Sequence, residues 1–232
     1  MKISILTLFP EMFAGPFDSS IVKRAQDKNL VRIEQINIRN YGIGKHNVVD
    51  DKPYGGGVGM VMKVDVLDKA ITESKDKKLT GDQQRVIYVG PHGKQFTQQK
   101  AKELSQLQHV ILLCGHYEGI DERAKSFIDE EISIGDFILT GGEIPAMLIT
   151  DAIVRLIPGV LKEEATAHES FSMKEQEDIL LEFPQYTTPA EYKDMYVPEI
   201  LLSGNHKLID RWRKEKAKEI TQKLRPDLLK KK

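Results

Sequence analysis

Short, nearly unbroken apolar runs separated by amphipathic stretches constrain this chain more than any other feature. Residues 3–8 (ISILTL), 85–90 (RVIYVG) and 109–115 (HVILLCG) are each bounded by turn or polar residues. Runs of this length without alternation read as strands buried on both faces. Residues 31–38 (VRIEQINI) read as a further strand and 132–139 (ISIGDFIL) as strand-like. Between them, helical spacing runs from Pro10 toward Asn29, from Val64 to Ser74, over 97–107 and from Gly142 to Leu156, with a short helix from Asp121. Parallel neighbours need such crossovers, so the expected fold is α/β with a mostly parallel sheet.

With 232 residues, 40% hydrophobic and 30% charged, the chain can bury a sizeable core. No apolar run approaches the roughly 20 residues of a membrane helix. Met1-Lys2-Ile3 enters directly as a strand without a signal-peptide layout, so no membrane association and a cytoplasmic location are expected. Cys114 is the only cysteine, which excludes an internal disulfide and a thiolate zinc site. Lying inside an apolar run, it reads as a buried structural thiol. The six histidines never fall at metal-ligand spacing, so no metal site is read from the sequence.

Charge is unevenly placed. Residues 207–232 carry 11 basic and 4 acidic side chains, a net of +7, which leaves −8 for positions 1–206. Two readings stand: an acidic partner such as nucleic acid, or a solvated C-terminal helix with a lysine tail. After Pro158 the sequence turns charged and weakly periodic, and Pro184, Pro189 and Pro198 punctuate the C-terminal quarter. The expected organisation is an α/β domain over 1–160, a linker over 161–176, and a small all-helical domain over 177–232. A helix from Asn205 to about Leu224 would carry Leu208, Ile209, Trp212, Ile220 and Leu224 as a broad but imperfect apolar stripe.

Three expected strands end in glycine-rich loops: Gly90-Pro91-His92-Gly93, Gly115-His116-Tyr117-Glu118-Gly119 and Thr140-Gly141-Gly142. In an open parallel sheet ligands bind outside the carboxyl ends of the strands. Loops of this kind offer backbone donors, acceptors and apolar walls, which suits an adenine and a ribose better than a pyrophosphate. Neither G-x-G-x-x-G nor G-x-x-x-x-G-K-[ST] occurs, which disfavours a nicotinamide oxidoreductase and a triphosphate enzyme.

KHNVVDDKPYGGGVGMVM, CGHYEGIDER, ISIGDFILTGGEIPAM and VPEILLSGNH follow one another in order along nearly the whole chain. Together they resemble the bacterial tRNA (guanine-N1)-methyltransferase family. The resemblance implies a mostly parallel α/β sheet with a deep C-terminal trefoil knot of the SPOUT kind, followed by a small helical domain. It implies S-adenosylmethionine as methyl donor, an association with Mg²⁺, and a homodimer with active sites at the interface. It further implies transfer to N1 of the guanine just 3′ of the anticodon, at tRNA position 37. Carried over by motif, the cofactor residues are Tyr88, Pro91, Gly115, Tyr117, Glu118, Ile134, Gly135, Asp136, Phe137, Ile138, Leu139, Gly141, Gly142 and Pro145.

N1 of neutral guanine carries a proton and has no free in-plane lone pair, so a base must act before a methyl can be accepted. Charge developing on O6 calls for a cation or donors. The resemblance assigns that charge to Arg155, which by itself reads as a surface or ion-paired arginine. The family carries Asp before Ser-Phe in the linker, whereas here the run is His168-Glu169-Ser170-Phe171 and the linker is about a residue shorter. Glu169 keeps the carboxylate on a longer arm and is the expected general base, with Ser170 orienting it or a phosphate. Lys45, His46 and Asp50 in the long polar stretch 40–59 are expected to face tRNA, and Arg211, Arg213 and Lys214 to hold stem phosphates. The competing reading is a non-catalytic RNA-binding protein that keeps the knot.

Overall fold

The computed structural model describes residues 1–175 and 177–230; the side chain of Glu163, Gln176 at the end of the expected linker, and Lys231 and Lys232 of the lysine tail lie outside the described residues. The chain divides into two compact units, Met1–Leu161 and the residues from Lys162 onward.

In the first unit β1 (Lys2–Thr7) leads through a 3-10 turn, Pro10–Phe13, to α1 (Ser20–Asp27) and β2 (Arg32–Asn37). The helix expected from Pro10 to Asn29 is therefore interrupted: Pro16 follows Gly15, whose φ of 95° no helix allows. Next come a small hairpin, β3 (Asp50–Asp51) and β4 (Val61–Met62), then α2 (Val64–Ser74), β5 (Gln84–Gln95), α3 (Gln98–Leu104), β6 (His109–Cys114), β7 (Glu130–Ser133) and α4 (Glu143–Val154). The strands pair in the order β2-β1-β6-β5-β7, and every pairing is parallel.

All six residues of β6, the central strand, are buried. Period-two alternation sends Ile3, Ile5, Val110 and Leu112 to one face, against Phe13, Val22, Leu104 and Ile149. Leu6, Ile111, Leu113 and Val86 face the other, against Val66, Leu67 and Ile71 of α2. Both faces are covered by helices, and this explains why the strands read as continuous apolar runs.

The second unit holds α5 (Glu163–Ala167), β8 (Met173–Glu175), β9 (Asp178–Leu180), β10 (Glu191–Tyr192), β11 (Met195–Tyr196), α6 (Glu199–Leu202) and α7 (His206–Leu224). The expectation of an all-helical domain is corrected here, since β8–β9 and β10–β11 are antiparallel ladders. The first ladder also ties residues of the expected linker to those beyond it. The second closes through Lys193 and Asp194 at φ 49° and 59°, the left-handed pair a tight hairpin turn requires. Asn205 caps α7 by accepting from the Leu208 N–H at 3.3 Å. Buried Thr221 fastens the helix to the rest of the unit, its Oγ1 accepting from the Leu181 N–H at 2.9 Å.

Candidate active site

Three loops meet at the carboxyl end of the sheet in the first unit. β5 continues past Val89, but its register against β7 jumps so that Val89 and Lys94 both face Ile132. Residues 90–93 are thereby thrown out of the ladder, and the His92 N–H is caught by Glu131 Oε1 at 3.0 Å. The second loop leaves β6 at Gly115. The third leaves β7 at Ser133, earlier than the strand-like reading of 132–139 expects. Phe137, Ile138 and Leu139 are 56%, 80% and 38% exposed, so their apolar character serves a surface and not a strand.

Glycine is needed where the loops press on one another. A Cβ on Gly115 would lie 2.7 Å from the Tyr88 hydroxyl, and one on Gly142 would lie 2.7 Å from Cys114 Cα and 2.8 Å from the Gly115 nitrogen. The same close approach is tied by the Gly142 N–H donating to the Gly115 carbonyl at 2.8 Å. The three loops enclose a cleft of about 530 Å³, within the roughly 300–1,000 Å³ typical of small-molecule sites. Thirteen of the fourteen predicted cofactor residues line it; Asp136 alone is not part of its wall.

The walls are largely neutral. Burial, with Glu131 and Glu122 adding to it, pushes the Tyr88 phenol up to about 12, so it remains protonated. Cys114 is fully buried, and that burial, reinforced by Glu143, holds its thiol well above the ordinary range, as a structural role requires. Glu118, Glu122 and Lys125 are the carboxylates and cation on the lining, with Lys125 Nζ 3.0 Å from Glu122. Such a lining suits a nucleoside.

A buried carboxylate below the cleft escaped the sequence reading. Glu143, 2% exposed, opens α4, where the helix dipole favours a negative charge. Its Oε1 accepts from the Thr7 hydroxyl at 2.8 Å, and its Oε2 stands 4.0 Å from Nδ1 of His116. The His116 ring packs on Phe9 and Tyr117, with centroids 5.0 and 4.9 Å away. The one signal was a glutamate directly after a glycine pair at a helix start.

Of the other expected site residues in the first unit, none is part of this cleft's lining. Arg155 caps the far end of α4 and is not part of the cleft lining. It stands twelve residues beyond Glu143, about 18 Å along the helix. Lys45 and His46 are exposed in the turn between Ile43 and Val48, and Asp50 pairs with Met62 in the β3–β4 hairpin. In the second unit Ser172 Oγ donates to Glu169 Oε1 at 3.4 Å. Ser170 Oγ accepts the Glu182 N–H at 2.9 Å, so its hydroxyl is already engaged in holding the backbone. Arg211 pairs with Glu215 at 2.8 Å, Lys214 is exposed, and the Arg213 guanidinium lies 4.9 Å over the Phe183 ring. Among the described residues no group of three His, Cys, Asp or Glu could hold a metal ion, and no helix is long and apolar enough to cross a membrane.

The fold and the cleft define an α/β protein of the parallel-sheet class with a nucleoside-sized site at the carboxyl ends of its strands. The family model described as tRNA (guanine-1)-methyltransferase TrmD matches residues 1–231, and the chain belongs to that family. It is 55% identical over 231 residues to a tRNA (guanine-N(1)-)-methyltransferase of Staphylococcus epidermidis, covering 99% of this chain and 91% of that protein. Relatives of the same description from Carboxydothermus hydrogenoformans and Clostridium beijerinckii are each 55% identical, over 99% and 100% of this chain and 88% and 93% of their own lengths.

Proposed function

We propose that this protein transfers a methyl group from S-adenosylmethionine to N1 of the guanine at tRNA position 37. The observation that carries the reading is the convergence of the three glycine-rich loops on one neutral, nucleoside-sized cleft in a chain of this family. When bound, S-adenosylmethionine supplies a methyl group made electrophilic by its sulfonium. The Gly115 and Gly142 backbones and the protonated Tyr88 phenol would hold the adenosyl part, and the exposed Phe137-Ile138-Leu139 stretch would shield it from water. Those loops form the knotted part of the chain in this reading. Glu169 takes the N1 proton and Arg155 stabilises the charge that develops on O6. Lys45, His46, Asp50, Arg211, Arg213 and Lys214 contact the tRNA, with Arg213 acting through its packing on Phe183 as well as its charge.

The position of Arg155 supports a dimer. Ile144, Leu148, Asp151 and Arg155 recur at helical spacing along one stripe of α4, with Ile144 51% and Leu148 47% exposed. A two-fold pairing is self-complementary. Two such helices packed antiparallel would bring the Arg155 end of each to the Gly142 end of the other, completing each cleft with a residue of its partner. Leu148→Glu is accordingly expected to give a monomer in analytical ultracentrifugation and to abolish methylation while each subunit stays folded by circular dichroism. A dimeric Leu148→Glu protein with full activity would refute this arrangement.

The activity is tested by incubating the protein with S-adenosylmethionine and a tRNA transcript carrying guanine at position 37. A reverse-transcription stop at that base is expected, absent when the guanine is replaced by adenine. Methylation of another nucleotide, or no calorimetric binding of S-adenosylmethionine, would overturn the reading. Cofactor binding with no turnover would favour the non-catalytic RNA-binding alternative.

A further inference from the structure

The segment between β3 and β4 presents Pro53-Tyr54-Gly55-Gly56-Gly57-Val58-Gly59 at the surface. Tyr54 is 100% and Val58 91% exposed, so neither side chain contributes to the core. Gly55, Gly56, Gly57 and Gly59 all adopt positive φ, from 80° to 127°, and a Cβ on Gly55 or Gly56 would meet nothing within 4 Å. Gly55 and Gly56 are therefore not answering to close packing; they set the backbone path of a projecting tip.

The foot of this tip is fastened to the cleft. The Glu118 N–H donates to the Met60 carbonyl at 3.0 Å, and the Met62 N–H donates to the Gly119 carbonyl at 3.0 Å. Gly59 lies against the Glu118 side chain, where a Cβ would collide. The loop that carries the exposed ring is thus tied at its foot to Glu118 and Gly119 of the cleft lining, and Lys52 precedes the ring by two residues.

We propose that Tyr54 is a stacking platform for an unpaired tRNA base next to the target guanine. This rests on the function proposed above. A guanine that enters the cleft must leave its stack, which uncovers the faces of its neighbours in the loop. A fully exposed aromatic ring on a loop tied to the cleft lining offers such a face a sequence-tolerant partner, and Lys52 suits a phosphate beside it. The glycines on its C-terminal side let the ring turn to meet the plane of the base.

Tyr54→Ala, Tyr54→Phe and Tyr54→Trp, compared with the native enzyme in steady-state methylation of tRNA, test this. Alanine is expected to raise KM for tRNA about tenfold or more, with calorimetric affinity for S-adenosylmethionine, melting temperature and sedimentation unchanged. Phenylalanine and tryptophan are expected to restore KM to within about threefold, because the ring face and not the hydroxyl carries the interaction. An alanine variant with native KM, a loss that phenylalanine does not restore, or an altered oligomeric mass would each overturn the proposal. The last would assign the ring to a second copy of the chain. A native enzyme that fails to methylate guanine 37 would instead overturn the function on which the proposal rests.

Discussion

Gly142→Ala is expected to cost the protein both stability and cofactor affinity. The backbone angles at Gly142, φ −81° and ψ −3°, suit alanine, so conformational strain is not the reason. The reason is space: the new methyl would lie 2.7 Å from Cys114 Cα and 2.8 Å from the Gly115 nitrogen. Those are backbone atoms at the end of the central, fully buried strand, so neither can swing aside. Overpacking of this kind costs about 1–3 kcal/mol. At roughly 2–4 °C per kcal/mol for a chain of this size, the melting temperature should fall by several degrees. If the third loop relieves the clash by moving off the second, the Gly142 to Gly115 hydrogen bond opens and the cleft loses a wall. The same 1–3 kcal/mol taken from binding corresponds to about a 5- to 150-fold loss of S-adenosylmethionine affinity. Gly81→Ala is the control, since a Cβ there meets nothing within 4 Å. Native cofactor affinity in Gly142→Ala would remove this loop contact from the binding site.

Glu169→Ala is expected to show the second large effect, and on chemistry alone. A positioned general base typically contributes 10²–10⁴-fold, so single-turnover methylation should slow by about that factor. Cofactor affinity should be largely retained, because the glycine loops belong to the first compact unit and Glu169 to the second. Glu169→Asp restores a carboxylate on an arm one methylene shorter and should recover substantial activity. Ser172 gives a further handle, since its hydroxyl donates to Glu169 Oε1 at 3.4 Å and helps fix the rotamer. An alanine variant as fast as the native enzyme would place the base at another residue.

Much of the first unit was legible because its signals are local. α2 spans Val64–Ser74, as its spacing predicts, and β6 carries an apolar run buried on both faces. The cleft loops were legible for a different reason. Their glycines fall directly after strands, and parallel topology then places all three at one end of the sheet. Elsewhere composition misled. Phe137, Ile138 and Leu139 resemble a strand because apolar residues on a binding surface look the same in sequence as apolar residues in a core. The β10–β11 hairpin was missed because each strand has only two residues, too few to display an alternation, and its turn is set by Lys193 and Asp194 in place of the usual glycine.

Neighbouring positions alone established the alternation of strands and helices in the first unit, the buried thiol at Cys114, the family resemblance, and which loops line the cleft. They suffice there because periodicity, turn residues and long motifs are local properties of a chain. Contacts across space had to wait for the folded molecule. Thr7, His116 and Glu143 are up to 136 positions apart, yet meet beneath one cleft. Arg155 shares α4 with the glycine loop but stands at the helix's opposite end, a separation the roughly 1.5 Å rise per residue makes unavoidable. Tyr54 reads as one more residue of a polar loop until the folded hairpin ties the foot of that loop to Glu118 and Gly119. Such contacts depend on how β1, β6 and α4 pack together, which no window of sequence contains.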